Sequence, residues 1–504
     1  MNTKKRKIIG KGLLIFACIG LILSCAAKSG SIKTEAKETL KKQDAETRII
    51  IFHINDVHAQ IDNFAKIAWL INQARETNPN VFFMNAGDNF SGNPVVDQYI
   101  PKGEPILQLL DQLKTDVLTL GNHDFDYGQQ ILKSAIKNAR YPVLCANVKV
   151  KGGIIPQPKP FTFLETKNGI KIAVLGLIQI QEESQIPSCH PDKVKGLVFF
   201  EGIETAKKFK YLKNESNVFI ALTHLGYDQD ELLAKEMGEL DIIIGGHSHT
   251  TITEPVEING VLITQAGGYA RYLGRIEVTV KKGKVIRKKG ELIDLESIHN
   301  EIPEIKDKIK KYNDNPHLER IIITLPMVLE GKAQLGNLIT DAVRNMLHVD
   351  IAIHNRGGIR SDFFGKEVRL KDVFKLLPFG NDIIQFEMTP AEIKSLITFS
   401  YEKQKGFDLL VSGIEYTVLR TAQYEVKDVE LKDAVGKLLD EGKTYKVGMN
   451  SYIASSYQFA HHDPGKSLQT IIAQALIDYL QHQQGEDVCK DIEKIRNHEK
   501  EVNE

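Results

Sequence analysis

The sequence predicts an α/β protein in two successive units, and three observations carry the prediction. From Arg48 onward, short apolar runs alternate with amphipathic stretches, the rhythm of helices covering a sheet. Near residue 300 the texture turns charged and helix-like before a second α/β pattern begins. Several apolar runs end abruptly in Asp, Asn or His, at the strand ends where open α/β sheets bind ligands.

The chain has 504 residues, 42% hydrophobic and 26% charged, the balance of a globular protein with material for several cores. Lys plus Arg and Asp plus Glu each total 65, so nothing in the composition points to a nucleic-acid polymer as partner. No obligate protein partner is evident either. Residues 1–24 read as a signal peptide. Lys4, Lys5, Arg6, Lys7 and Lys11 precede an apolar run from Gly12 to Leu23, which is short for a membrane span. The ending Ile22-Leu23-Ser24-Cys25 resembles a bacterial lipoprotein box. That resemblance implies cleavage before Cys25, lipidation of its thiol, and an exported protein anchored to a membrane in the periplasm or at the cell surface. An uncleaved anchor or an ordinary secretion signal would export the chain as well. Loss of residues 1–24 leaves 60 basic against 65 acidic residues, a mildly acidic mature chain. Cys145, Cys189 and Cys489 are scattered and form no evident disulfide framework or cysteine-based zinc motif.

Residues 25–46 are polar and read as a lipidated tether. The first domain is expected over 47–296. Its buried strands are the runs at 48–54, 80–87, 116–121, 170–178, 217–224 and 241–247, with helical patterns at 64–76 and 106–114. Residues 297–330 read as a helical linker. A second domain is expected over 331–480, with a helix at 336–347 followed by a strand at 349–355. Residues 481–504 read as a polar tail.

The strand ends carry the chemistry. The run RIIIFHI meets Asp56 and His58, NVFFMNA meets Asp88, and DVLTL meets Asn122, His123, Asp124 and Asp126. NVFIALT meets His224, and DIIIGG meets His247 and His249. A single histidine after a strand is more often a cap or a core residue. Five strands ending this way in order are a different matter. Imidazole, carboxylate and amide oxygen without thiolate suit Zn, Mn, Fe or Co. Seven candidate ligands exceed the needs of one tetrahedral ion and would serve two divalent metal ions bound to a phosphoryl group. Asp88, alone in its loop, is the natural bridge.

This ordered set resembles the calcineurin-like metallophosphoesterases, and over residues 47–480 the chain resembles the bacterial 5′-nucleotidase family. The resemblance implies a four-layer α/β/β/α domain followed by a smaller C-terminal α/β domain. It implies a first metal held by Asp56, His58 and His249, and a second held by Asn122, His224 and His247, with Asp88 shared. His123 would contact the phosphoryl group, oriented by Asp126, while Asp124 would be structural. In the second domain, HNRGGIRSD implies nucleotide contacts from Asn355 and Arg360. LLPFGND and NSYIAS imply that Phe379 and Tyr452 form opposite aromatic walls for a base, with Asn381 beside them.

Two departures stand out. Relatives commonly carry a Gly-Gly-Asp-Gly-aromatic segment after the NSY stretch, where this chain has SSYQFAHHDPGKS; Asp463 would have to take over the ribose contact. Relatives also place an arginine before the second domain's first helix, where only Lys332 offers charge. The implied activity is dinuclear hydrolysis of nucleoside 5′-monophosphates or related phosphomonoesters. The alternatives are a cyclic-nucleotide or nucleotide-sugar phosphoesterase on the same metals, and a non-catalytic ligand-binding surface lipoprotein.

Overall fold

The computed structural model describes residues 46–502. The expected signal peptide, Cys25 and nearly all of the tether lie outside them. Among the described residues, no helix is long and apolar enough to cross a membrane.

The first half contains two six-stranded sheets packed face to face. One runs in the order Lys284–Asp294, Tyr272–Lys281, Thr47–Ile54, Val81–Asn85, Val117–Thr119 and Val143–Leu144. The other runs Val256–Ile258, Val261–Thr264, Ile242–Ile244, Val218–His224, Lys171–Ile178 and Phe161–Glu165. Side chains alternate across a strand, so one strand feeds two cores. From Thr47–Ile54, Ile49 and Ile51 enter the core between the sheets with Ile172, Val174, Ile220 and Ile244. Ile50, Phe52 and Ile54 enter the opposite core, beneath the helices Phe64–Thr77 and Glu104–Gln112. On the far side, Leu175, Phe219 and Ile243 pack with residues of the helix Tyr227–Glu236. The result is the four-layer α/β/β/α arrangement. Strands buried on both faces read as unbroken apolar runs, which is why the sequence exposed them.

The second half is built on a five-stranded sheet in the order Leu409–Ser412, Ile351–Asn355, Tyr445–Asn450, Asp382–Met388 and Lys466–Ile471. The helices Gly331–Leu347 and Ile472–His482 cover one face, and Pro390–Gln404 covers the other.

Two expectations about segment boundaries differ from the structure. Within the expected linker, Pro303–Asn313 docks Ile305 and Ile309 into the first half's core, while Ile321–Thr324 pairs with Glu367–Arg369 in the second half. The expected polar tail is folded: Asn497–Glu501 pairs in parallel with Ile414–Arg420. The sequence NHEKE holds no apolar residue and all but Asn497 are exposed, so no apolar pattern announced the strand.

Candidate metal centre and substrate cleft

Every strand that ended in polar residues delivers them to one place. Asp56, His58, Asp88, His247 and His249 have φ values of 50°, 47°, 56°, 82° and 52°. This left-handed region is costly for residues with a Cβ and concentrates at functional sites. Two glycines make the convergence possible. A Cβ on Gly121 would stand 2.2 Å from the Asp88 carboxylate, and one on Gly246 would stand 2.8 Å from His224 Nδ1.

Backbone carbonyls orient the imidazoles. His58 Nδ1 donates to the Ser91 carbonyl at 3.0 Å and His224 Nδ1 donates to the Ala86 carbonyl at 2.7 Å, which turns each Nε2 inward. His58 Nε2 then lies 3.0 Å from His249 Nε2, which is 3.4 Å from Asp56 Oδ1. Asp88 sits between the two groups, with Oδ2 3.9 Å from His58 Nε2 and 3.0 Å from His224 Nε2. The Asn122 amide donates to the Ser188 carbonyl at 3.0 Å, and its Oδ1 lies 2.9 Å from His247 Nδ1. Donor atoms of Asp56, His58 and His249 fall within 4.8 Å of one another, as do those of Asp88, His224 and His247.

The electrostatics fit cations. Burial pushes Asp56 up to about 7, the behaviour of a carboxylate that lacks sufficient positive charge nearby. Burial likewise holds His247 down at about 3 and His249 at about 4, which keeps them in the neutral form a ligand requires. His224 goes the other way: burial opposes its charge, but Asp88 and Asp56 outweigh burial and raise it to about 10. Its Nε2 is buried without an aligned hydrogen bond, despite lying 3.0 Å from Asp88. Two divalent ions sharing Asp88 would satisfy both carboxylates and that nitrogen.

His123 stands beside this cluster. Its backbone N–H donates to Asp88 Oδ1 at 2.7 Å, and its Nδ1 lies 2.7 Å from Asp126 Oδ2. Burial disfavours the imidazolium, yet Asp126 and Asp88 overcome it and hold His123 above the ordinary histidine range. Asp124 accepts the backbone N–H groups of Asp88, Asn89 and Gly121 at 3.1, 2.9 and 2.8 Å. It shapes the two loops and does not face the centre.

The centre opens into a cleft of about 560 Å³ shared by both halves. Asn355, Arg360, Phe379, Asn381 and Tyr452 all line it, as does Lys332. Arg360 Nη2 reaches within 3.5 Å of His58 Nε2 and donates to the Tyr269 hydroxyl at 3.4 Å. Phe379 also reaches the chemistry: its ring stacks on His123, with centroids 5.3 Å apart and planes 11° apart. One expectation changes here. Asp463 does not take over a cleft contact, because its carboxylate accepts the backbone N–H groups of Glu387 and Gly465 at 2.6 and 3.0 Å.

Other contributors carried no sequence signal. Tyr269, at φ 61°, lies against both His58 and His249 at 5.3 and 5.2 Å. Phe407, Asp408 and Tyr457 complete the far wall. Buried Asn450 donates to Asn355 Oδ1 at 2.8 Å and to His354 Nδ1 at 3.1 Å, which leaves the Asn355 amide as a donor.

Comparison with known proteins agrees with this geometry. Residues 49–251 match the calcineurin-like phosphoesterase model, and residues 322–459 match the 5′-nucleotidase C-terminal domain model. The trifunctional nucleotide phosphoesterase protein YfkN of Bacillus subtilis is 29% identical over 81% of this chain. The 5′-nucleotidase of Diplobatis ommata is 27% identical over 81% of this chain and 82% of its own length. The structure of the 5′-nucleotidase precursor from Thermus thermophilus is similar over 91% of this chain and 100% of that one, with a TM-score of 0.74 and 26% identity. The chain spans only 32% of YfkN and 39% of the endonuclease YhcR of the same Bacillus, which is 24% identical. With both domain models matched in order and likeness to solved and curated 5′-nucleotidases over most of its length, the chain carries a calcineurin-like phosphoesterase domain followed by a 5′-nucleotidase C-terminal domain.

Proposed function

We propose that this protein is a metal-dependent phosphatase that hydrolyses nucleoside 5′-monophosphates, or related organic phosphates, to nucleoside and phosphate. The observation that carries the reading is Asp88, buried between His58 and His224 with an Oδ2 facing both. Asp56, His58 and His249 would hold one divalent ion, and Asn122, His224 and His247 the other, with Asp88 shared. Zn, Mn, Co or Fe suits these donors. Bound there, two ions supply charge to the phosphoryl oxygens and acidify a water.

His123, paired with Asp126, is in our reading the proton donor to the departing oxygen and a positive charge for the phosphoryl group. Phe379 restrains its ring by stacking. Arg360 adds positive charge beside His58. Asn355, Asn381, Phe379 and Tyr452 receive the nucleoside, because they share the cleft that ends at His123. On this reading 47–296 is the metal-binding domain and 331–480 the nucleoside-binding domain. Export and a lipid anchor at Cys25 complete the proposal, supported by the pattern of residues 1–25.

The test is phosphate release from AMP by the purified protein with added Mn²⁺ or Zn²⁺, compared with EDTA-treated protein. The proposal expects turnover that EDTA abolishes and metal restores. No turnover with either metal on AMP or on a small aryl phosphate would refute it.

A further inference from the structure

His58 turns its Nε2 to the metal centre because its Nδ1 donates to the Ser91 carbonyl at 3.0 Å. The aim of the ring therefore depends on where Ser91 is held. Ser91 is buried at φ 63°, a strained conformation that persists only where its surroundings impose it. Its own hydroxyl takes no hydrogen bond among the described residues, so that group imposes nothing. The constraint comes through the backbone.

Two residues outside the centre grip that backbone. The Ser91 N–H donates to the Tyr127 hydroxyl at 3.1 Å, and the next N–H, that of Gly92, donates to Asp97 Oδ2 at 3.0 Å. The Tyr127 hydroxyl donates in turn to Asp97 Oδ1, which closes a ring of three hydrogen bonds on the Ser91–Gly92 backbone. Asp97 is buried and gives both of its oxygens to this ring. The Tyr127 ring is fixed as well, stacked on Phe90 with centroids 4.5 Å apart. Gly103 makes room for that stack, since a Cβ there would stand 2.8 Å from the Phe90 ring. Tyr127 directly follows Asp126, the carboxylate that holds His123, so the clamp joins the segment carrying the acid to the segment aiming a metal ligand. Asp124 ties the same two segments at Asp88 and Asn89, whereas Tyr127 and Asp97 act at Ser91 and Gly92.

Building on the dinuclear reading above, we propose that Tyr127 and Asp97 are positioning residues for the ion assigned to Asp56, His58 and His249. Neither lines the cleft, so neither meets the substrate. They act through the Ser91 carbonyl, which keeps the hydrogen of His58 on Nδ1 and leaves Nε2 free to ligate. His224, assigned to the other ion, is aimed by the Ala86 carbonyl instead. Loss of the clamp therefore falls on one ion of the pair.

The test is Mn²⁺ binding to the full chain, titrated by calorimetry with no substrate present. Tyr127→Phe keeps the stack on Phe90 and removes only the hydroxyl. Loss of a group that orients a metal-ligating histidine weakens metal binding about 10- to 100-fold. The expected result is one binding step weakened by about tenfold or more and the other held within about threefold. The weakened step should be the one that His58→Ala abolishes. Asp97→Asn leaves one oxygen where the clamp uses two, and it should weaken the same step. The double variant should lose less than the product of the two single effects, because both break one ring. Equal weakening of both steps, or parental affinity at the His58 step in either variant, would overturn the proposal. Should one variant fail to fold, the other decides by the same criterion. Two ions bound by the parent with no selective loss in the variants would overturn the proposal and leave the dinuclear reading intact. A parent that binds fewer than two ions would remove both.

Discussion

Asp126→Asn isolates the charge that holds His123. The substitution keeps an oxygen to accept the Nδ1 hydrogen and removes only the negative charge. Side-chain exposures of 15% for His123 and 11% for Asp126 leave little solvent to screen a 2.7 Å contact. Hydrogen bonds to charged groups contribute about 1.5–3 kcal/mol against about 0.5–1.5 for neutral ones, so the change removes about 1–2 kcal/mol. If that charge stabilises the imidazolium in the transition state, kcat on AMP falls about 5- to 30-fold, at about 1.4 kcal/mol per tenfold. The pH dependence has a definite sign. Burial lowers the pKa of His123, and Asp126 and then Asp88 raise it. Removing Asp126 leaves burial opposed mainly by Asp88, so the pKa falls. Activity that needs the protonated ring is lost as pH rises through that pKa, and the alkaline limb of kcat therefore moves to lower pH in the variant. The assay is kcat against pH at saturating AMP and fixed Mn²⁺. A kcat within twofold of the parent, or an alkaline limb that does not move, would refute the role of His123 as a charged acid.

Four further outcomes follow from the same geometry. Asp88→Asn should abolish hydrolysis and lower bound metal, measured by elemental analysis; full turnover with two ions per chain would contradict the bridge. His123→Ala should lower turnover on the order of 10²–10⁴-fold with metal content unchanged, as for a lost acid; metal loss would instead make His123 a ligand. Phe379→Ala should lower kcat/KM for AMP about 5- to 160-fold more than for a small aryl phosphate, from base stacking of roughly 1–3 kcal/mol. A small aryl phosphate should fall only about two- to twelvefold, because the stack on His123 contributes about 0.5–1.5 kcal/mol; equal losses would deny Phe379 a base-binding role. Cys25→Ser should leave the protein in the soluble fraction or as uncleaved precursor, and unchanged membrane fractionation would favour an uncleaved anchor.

The fold was legible where strands are buried on both faces. Ile49 through Ile54, interrupted only by the buried His53, and Val218 through Leu222 face two cores, so the run is almost wholly apolar and the polar residues that end it stand out. Half-buried strands were quieter. Lys284–Asp294 forms the sheet edge and Tyr272–Lys281 lies next to it, both with interleaved charges, and Asn497–Glu501 has no apolar face at all. The metal-centre candidates were legible because their residue types are unusual after a strand. Tyr269, Phe407 and Asn450 were not, since an aromatic in a loop, or an amide that caps the helix after its strand, has many bland uses. Their parts depend on tertiary approach: Tyr269 meets Arg360 across 91 positions, and Asn450 meets Asn355 across 95. Asp463 failed as a substitute for the same reason. Its position in sequence fits the ribose contact, but the turn around Gly465 draws its carboxylate onto backbone N–H groups.

The central claim is that Asp88 joins two metal ions, and anomalous X-ray scattering from crystals of the Mn²⁺-loaded protein tests it most directly. The account predicts two peaks roughly 3.5–4 Å apart, one among Asp56, His58 and His249 and the other among Asn122, His224 and His247, with Asp88 reaching both. A single peak, or two peaks that Asp88 does not bridge, would contradict it.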